Sequence, residues 1–256
     1  MRVAVCCKGV PLDATLESVE ISNGDMKFSG TDLYINEVDD YSLEAAMAIK
    51  NAYGAETFAL TMGTLKAQEV LYYAIAKGID QAIRIEGDTN RPELVASALI
   101  PAIQEINPDL LLVGVQSEDW GGGEVGIYLS QALNMGMVYA VIEICEINEK
   151  TARVKKELGN GIMAELTVEL PAVLCVQSGI QPLQYLSAMK RKKARNAAIN
   201  PGGKLNIDSA KASIPGMLNY RFEEACDTPR GAQAELLIGT RQEKAAKLLS
   251  IIRDSV

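Results

Sequence analysis

A glycine-rich stretch in the middle of the chain holds the residues whose types and spacing suit ligand chemistry. It reads LLLVGVQSEDWGGGEVGIYLSQALN from Leu110 to Asn134. An apolar run ends at Gly114, a polar loop follows, and three glycines precede an amphipathic helical pattern. Backbone amides and the positive end of a helix dipole would meet there, which favours an anionic group. Because glycine lets the main chain come close to phosphate oxygens, the stretch predicts a nucleotide-phosphate site.

The same pattern is also typical of a flexible surface loop before a helix, and the sharper phosphate motifs are absent. The chain has no GxxxxGK[ST] sequence, and its first strand-like run is followed by CCKGVPLD rather than by a glycine-rich dinucleotide turn. Two other junctions, Cys6 to Pro11 and Thr61 to Gly63, would reach the same edge of a parallel sheet. Because open α/β sheets bind ligands at that edge, the three loops predict an enclosure for an adenosine moiety. Core packing is the alternative interpretation for Cys6 and Met62.

Composition excludes several classes of function. The chain has no histidine, which removes Ser-His and Cys-His catalysis and most zinc sites, so we predict no catalytic residue and no metal ligand. A net charge of −8 is unfavourable for nucleic-acid binding. The basic run Lys190 to Arg195 is the exception, and it favours a solvated helix face over a docking patch or a phosphate contact.

Cellular context follows from the apolar runs and the cysteines. The apolar runs are shorter than the roughly 20 residues that span a bilayer, and the N-terminus lacks the pattern of a secretory signal. We therefore expect a cytoplasmic protein without membrane insertion. Five cysteines form no spaced disulfide framework and predict reduced, buried thiols. They are Cys6, Cys7, Cys145, Cys175 and Cys226.

The elements that would position the glycine-rich loop alternate between strand and helix, which predicts βαβ units and a parallel sheet. The expected strands are Arg2 to Cys7, Thr57 to Thr61, Gln81 to Ile85, Asp109 to Gly114, Val138 to Ile144 and Ala172 to Val176. The expected helices are Asp39 to Tyr53, Leu65 to Lys77, Pro92 to Ile106 and Glu124 to Leu133. Asn90 is expected to cap the helix that begins at Pro92.

Two hairpins and a C-terminal arm complete the prediction. The hairpins are expected at Val19 to Ser29, around Asn23-Gly24, and at Ala152 to Glu169. Residues 1–193 would form the α/β domain, and residues 194–256 would form an arm that wraps a partner, with a disordered linker as the alternative. The arm would end in a helix from Arg241 to Arg253, which begins with the capping-box pair Thr240 and Glu243.

Four motifs in this order resemble the β subunits of electron transfer flavoproteins. A strand ends in Lys8-Gly9-Val10-Pro11, and Asn36 precedes a helix that contains Asp40 to Ala46. Met62-Gly63 leads into a helix that closes as Ala74 to Asp80. The most diagnostic loop, G-x-Q-x-x-D with a later glycine, is matched at Gly114, Gln116, Asp119 and Gly126. The resemblance covers roughly the first 190 residues.

The resemblance implies an adenine-nucleotide-binding, Rossmann-like three-layer α/β fold. Its site would bind FAD, or AMP as a structural ligand, and a second FAD would lie in the partner α subunit. The residues expected to contact the nucleotide are Cys6, Asn36, Met62, Gly114, Gln116, Asp119, Gly121, Gly122, Gly123, Glu124 and Val125. As a carboxylate, Asp119 would contact the ribose or hold the loop through backbone amides.

Departures from the family pattern refine these expectations. Glu37 stands where the family usually has proline, and the partner-recognition loop from Gly179 to Ser187 lacks the family's arginine. We expect Leu183, Tyr185 and Leu186 to dock a dehydrogenase, whose identity these departures leave open. Members that bind AMP tend to have a hydroxyl residue at the position of Val125, so valine there favours FAD.

An FAD-type site would imply an electron-bifurcating protein. NADH would reduce the flavin, and its two electrons would go separately to the partner's FAD and to a ferredoxin-like acceptor. Two rival classes are a non-redox adenine-nucleotide-binding stress or signalling protein and an adenylating enzyme. The adenylating enzyme requires a phosphate loop directly after the first strand, which CCKGVPLD does not supply.

Overall fold

The computed structural model describes residues 1–12, 19–22, 25–28, 32–204 and 236–254. The chain divides into two compact units, Met1–Ala225 and Cys226–Val256. The first unit contains a three-layer α/β fold, and of the second unit the structure describes one helix with the residues before it.

Nine strands form one large sheet in the order β11-β10-β9-β12-β8-β1-β6-β7-β13. The strands are β1 (Arg2–Cys6), β2 (Gly9–Pro11), β3 (Val19–Ser22), β4 (Asp25–Phe28), β5 (Leu33–Ile35), β6 (Glu56–Gly63), β7 (Gln81–Glu86), β8 (Leu110–Gly114), β9 (Gly136–Ile147), β10 (Thr151–Gly159), β11 (Ile162–Glu169), β12 (Ala172–Val176) and β13 (Asn200–Lys204). The central strands are parallel, and β10 pairs antiparallel with both β9 and β11. Outside this sheet, β2 pairs with β5 and β3 pairs with β4.

Helices cover both faces of the sheet. They are α1 (Glu37–Tyr53), α2 (Gln68–Lys77), α3 (Pro92–Ile106), α4 (Val125–Leu133) and α5 (Ala188–Ala194), and a 3₁₀ turn, Leu65–Ala67, precedes α2. The helix of the second unit is α6 (Arg241–Asp254). Side chains of β8 alternate between two apolar clusters. Leu110 and Leu112 pack with α1 and α2, whereas Leu111 and Val113 pack with α3 and α4. A parallel sheet that is buried on both faces requires such a continuous apolar run, which confirms the predicted fold class.

The order of the strands reverses beside β1. The chain runs outward through β1, β6 and β7 and then returns, so that β8 lies on the other side of β1. Val5 consequently pairs with Ala59 on one side and with Leu112 on the other. The loops after β1 and β8 leave the sheet in opposite directions and open a crevice between them, which is the usual ligand position in this architecture.

Each predicted strand and helix is present and differs from the sequence prediction only at its ends, whereas β2, β5 and β13 were not predicted. Strand β9 continues to Ile147, past the expected Ile144, because it also pairs with β10 of the predicted hairpin. Arg91, rather than Asn90, is the N-cap of α3. Residues 23 and 24 of the first predicted hairpin lie outside the described residues. Of the expected arm, residues 194–256, the strand β13 pairs parallel with β7 of the large sheet, and residues 205–235 lie outside the described residues.

The cysteines partly follow expectation. Cys6, Cys7 and Cys175 are buried free thiols, whereas Cys145 is only half-buried and lies beside the Glu143 carboxylate, with 3.6 Å between its Sγ and Glu143 Oε1. Cys226 lies outside the described residues. In the described part of the chain, no helix is both long and apolar enough to cross a membrane.

Helix α6 begins with the predicted capping box. The Glu243 amide donates to Thr240 Oγ1 at 3.3 Å, and the Thr240 amide donates to Glu243 Oε2 at 2.8 Å. The apolar side chains of the helix are between 43 % and 53 % exposed. They are Leu248, Leu249, Ile251 and Ile252.

A substitution at Gly114 would show how closely α1 packs against the end of β8. A Cβ atom there would lie 2.5 Å from Val38 Cγ2 and closer still to Asp39 Oδ1, both on α1. We expect Gly114→Ala to lower the free energy of unfolding by about 1–3 kcal/mol, because overpacking forces the helix away from the strand. Thermal melting of the purified protein measures this change.

Gly122→Ala is the matched control for this substitution. The nearest atom to a Cβ at Gly122 is Glu124 Oε1 at 3.9 Å, so its melting temperature should equal that of the wild type. Equal melting of the Gly114→Ala variant and the control would show that α1 does not constrain position 114.

Candidate functional site

A cavity of about 800 Å³ opens at the carboxyl edge of the sheet, at the reversal of strand order. The loops that follow β1, β6, β7 and β8 line it, so it crosses the ends of four adjacent strands. The glycine-rich loop forms one wall, and residues 87–90 with the start of α3 form the opposite one. The structure thus brings the three predicted loops together and adds a fourth.

Asp39 joins the two strands that flank the crevice. Its Oδ2 accepts the Lys8 amide at 2.8 Å and its Oδ1 accepts the Gly114 amide at 3.1 Å. The residue lies in the first turn of α1 and is 4 % exposed. Burial raises its pKa to about 7, against the opposing effect of these hydrogen bonds. One carboxylate therefore satisfies main-chain amides at the ends of both β1 and β8.

Asn36 holds the loop that follows β8. Its Nδ2 donates to the Gln116 carbonyl at 2.9 Å, and its Oδ1 accepts the Glu118 amide at 3.0 Å. Its own amide donates to the Lys8 carbonyl at 3.0 Å, and the residue is 1 % exposed. Asn36 was predicted to contact the nucleotide. The structure shows that its side-chain amide hydrogen-bonds to the loop.

Lys8 and Asp119 fix the middle of the same loop. Lys8 Nζ lies 2.7 Å from Asp119 Oδ1 and donates to Ser117 Oγ at 3.3 Å. The Asp119 side chain is 4 % exposed. Burial lowers the pKa of Lys8, and the charge of Asp119 opposes that shift. Asp119 therefore ties the loop after β8 to Lys8, and its expected contact with the ribose stays a prediction.

The three glycines have different structural roles. Gly121 and Gly123 have φ values of 64° and 66°, which side chains rarely allow. A Cβ at Gly123 would also lie 2.6 Å from the Val115 carbonyl oxygen and 2.8 Å from the Tyr139 hydroxyl. Gly123 is therefore required by the fold of the loop itself. Gly122 lines the cavity without either constraint, so its missing side chain keeps the cavity wall open.

The other predicted site residues also surround the cavity. Those that line it are Cys6, Met62, Gly114, Gln116, Glu124 and Val125. Cys6 is 7 % exposed, and its burial raises the pKa of the thiol, which stays protonated. Gly121 shapes the loop beside them. In the first turn of α4 the Ile127 amide donates to the Glu124 carbonyl at 3.0 Å, whereas no helical carbonyl precedes the amides of Val125 and Gly126. Amides at this position can donate hydrogen bonds to an anion.

Sequence reasoning assigned no ligand contact to several residues at the site. Asp39 was expected only as the start of a helix, and Lys8 only as part of the Cys6 to Pro11 junction and of a family motif. Thr64 and Lys66, after β6, and Asn90, after β7, were also missed. The rule that ligands bind after parallel strands would have found them, because they follow two strands of the parallel sheet.

The predicted docking loop, Gly179 to Ser187, presents only some of its apolar residues to solvent. Tyr185 is 87 % exposed and Leu183 is 41 % exposed, but Leu186 is 4 % exposed. Leu186 therefore packs inside the domain, and the docking hypothesis now depends on the other two residues. Helix α5 follows the loop and carries the basic run on its exposed surface.

A buried carboxylate anchors this docking loop to the domain. Glu44 of α1 accepts the Gln184 amide at 2.7 Å and also binds Lys77 of α2. Lys77 lies against Asp40 as well, and its side chain is 2 % exposed. Arg191 of α5 stacks over Tyr73 at 5.4 Å from the ring centre. The loop is thus tied to the first two helices.

Fold and site together define an α/β nucleotide-binding domain whose ligand loops lie at the reversal of strand order. The model of the electron transfer flavoprotein domain matches residues 27–212. The chain belongs to that family, as a β subunit.

Three relatives illustrate the similarity. The electron transfer flavoprotein subunit beta of Methylophilus methylotrophus is 29 % identical over 86 % of each chain. The subunit of the same name from Bacillus subtilis strain 168 is 28 % identical over 93 % of each. The caffeyl-CoA reductase-Etf complex subunit CarD of Acetobacterium woodii is 31 % identical over 73 % of this chain and 72 % of its own.

The raised pKa of Asp39 predicts a pH-dependent stability. Its folded-state pKa of about 7 exceeds the ordinary value of 3.8, so folding favours the protonated form. This contribution is complete below the ordinary pKa and is lost as the pH rises through about 7. The Asn side chain of Asp39→Asn does not titrate. Its NH2 group would face a backbone N–H that a carboxylate oxygen accepts in the wild type, so we expect a lower melting temperature at every pH.

The measurement is the melting temperature at about pH 5.5 and about pH 8. Wild type should lose more stability than Asp39→Asn across this interval. Parallel profiles for the two proteins would mean that Asp39 does not titrate in this range.

Proposed function

We propose that this chain binds FAD in the cavity and works in a heterodimeric electron transfer flavoprotein of the electron-bifurcating type. The observation that carries the proposal is the 800 Å³ cavity with an open glycine wall at the reversal of strand order. The partner α subunit would hold a second FAD. Electrons would pass from NADH, or from an acyl-CoA-type dehydrogenase, to another carrier.

The size of the cavity supports a dinucleotide rather than AMP. Ligand cavities range from about 300 to 1,000 Å³, and this one lies in the upper part of that range. It extends from the loop after β8 to the loop after β7, across four strands spaced by about 4.8 Å. A mononucleotide at the glycine wall would leave the opposite wall without a ligand. Val125 adds an aliphatic side chain where AMP-type members tend to have a hydroxyl group.

The residues of the site fit a bound nucleotide. The main chain of Gly122, Glu124 and Val125 would face the phosphates, while Asp39, Asn36 and Lys8 hold the surrounding loops in place. FAD would supply the electron-carrying chemistry. The chain would bind the cofactor, orient it and exclude water from it.

The partners follow from the exposed surfaces and from the relatives. Residues 1–193 would form the nucleotide domain, and residues 194–256 would contact the α subunit. Helix α6 exposes four large apolar side chains, and such surface is usually covered in an assembly. CarD belongs to a caffeyl-CoA reductase-Etf complex, which supports a dehydrogenase-type partner. A ferredoxin-like protein would take the low-potential electron.

The open position at Gly122 gives the sharpest test of the nucleotide site. We expect Gly122→Val to remove the nucleotide of this chain, so that the extract falls from two FAD per heterodimer to one or loses its AMP, because the new side chain enters the cavity at the phosphate wall. Gly123→Val is a poorer test, since it also clashes with Val115 and Tyr139. Chromatography of the extract separates FAD from AMP, and circular dichroism verifies the fold.

Asp119→Asn is the comparison variant. It keeps one acceptor oxygen for Lys8 and should lose less nucleotide than Gly122→Val. Full nucleotide content in a folded Gly122→Val heterodimer would contradict the phosphate assignment, and AMP in the wild-type extract would replace FAD as the ligand.

Docking is tested at the two exposed residues of the recognition loop. We expect Tyr185→Glu and Leu183→Glu each to raise the apparent KM for the cognate dehydrogenase by roughly 5- to 100-fold, because truncating or charging an interface anchor costs about 1–3 kcal/mol. Nucleotide content should not change. Met189→Glu on α5, at 82 % exposure, is a matched control for added surface charge outside the loop. Equal KM values in all four proteins would remove the loop from the interface.

A further inference from the structure

Trp120 has a position in the cavity that the proposed function does not explain. It is the single tryptophan of the chain. The residue is half-buried and lies in the glycine-rich loop, between Asp119 and Gly121. Among the described residues that line the cavity, it is the only aromatic one. The other lining residues are glycines, aliphatic side chains and polar side chains.

The main chain on both sides of Trp120 is held in place. Before it, the Asp119 carboxylate pairs with Lys8 at 2.7 Å. After it, the Gly121 amide donates to the Ser117 carbonyl at 2.7 Å and closes the turn. Gly121 then turns the chain away with a φ of 64°. The indole therefore extends from a fixed turn, so it can present a defined surface to a ligand.

A planar heteroaromatic ring is the ligand group that such a surface suits. Ring systems of nucleotides are apolar on their faces and form their hydrogen bonds at their edges. Tryptophan offers a large flat face, and stacking of bases on aromatic side chains contributes to affinity without selecting one base. A half-buried indole at a cavity wall also exposes apolar surface that a stacked ring would cover.

We propose that Trp120 contacts the face of one planar ring of the bound nucleotide, either the isoalloxazine or the adenine. The inference rests on the proposed function, because it requires a nucleotide in this cavity. It assigns to Trp120 the recognition of the ring, whereas the glycine wall receives the phosphates. Affinity for the ring and affinity for the phosphate are then separable by mutation.

The experiment compares AMP, FMN and FAD as ligands of the apo-heterodimer. FMN and FAD share the isoalloxazine, AMP and FAD share the adenine, and all three carry phosphate. Trp120→Ala should weaken the two ligands that share the contacted ring by about 5- to 100-fold and leave the third unchanged. Trp120→Phe keeps an aromatic face and should restore most of the affinity. Because the variants alter only this chain, differences from wild type report on its cavity.

Tryptophan emission provides an independent measurement. The emission of wild type minus that of Trp120→Phe isolates Trp120, and it should fall when a ligand with the contacted ring binds. Gly122→Val is the matched control, since blocking the phosphate wall should weaken all three ligands alike.

The outcomes separate the two proposals. Equal weakening of all three ligands by Trp120→Ala would indicate a collapsed loop and overturn the ring contact. Unchanged affinity for all three would overturn it as well, while the proposed function stands. A wild-type heterodimer that binds none of the three ligands would overturn both.

Discussion

The ligand edge of this domain depends on one carboxylate that satisfies the main chain of two strands. Parallel strands leave amides without partners where they end, and a buried amide without an acceptor costs free energy. Asp39 accepts the amide that follows β1 and the last amide of β8. Its position requires Gly114 to have no side chain, because a Cβ there would overlap the first turn of α1.

The surrounding loops are held by the same few residues. Asn36 lies one turn before Asp39, and its side chain hydrogen-bonds to the main chain of Gln116 and Glu118 in the loop after β8. Lys8 binds Asp119 farther along that loop. These polar groups lie at the strand ends and not in the apolar layers, so the core and the site have separate requirements. The core requires apolar side chains of the right volume that alternate between the two faces of the strands, whereas the site requires hydrogen-bond partners in fixed directions.

The sequence predicted the layers and the central strands, because alternation and apolar runs are local signals. It also located the glycine-rich loop, since the apolar run, the three glycines and the amphipathic pattern follow one another directly in the sequence. The roles of Asp39 and Lys8 were not predictable in this way, because their partners lie 31 to 111 residues away along the chain. Leu186 shows the same limit, since an apolar residue in a loop has the same local pattern whether it contacts its own domain or a partner.

The hydrogen bond between Glu44 and the predicted docking loop holds the main chain of that loop without depending on its side chains. Glu44 binds the main-chain amide of Gln184 and contacts no side chain of the loop in doing so. Any residue except proline supplies that amide. The exposed positions at Leu183 and Tyr185 are therefore free to vary during evolution without loss of the anchor. If this loop docks a redox partner as proposed, a lineage could exchange one partner for another by changing surface residues while the anchor of the loop stays the same.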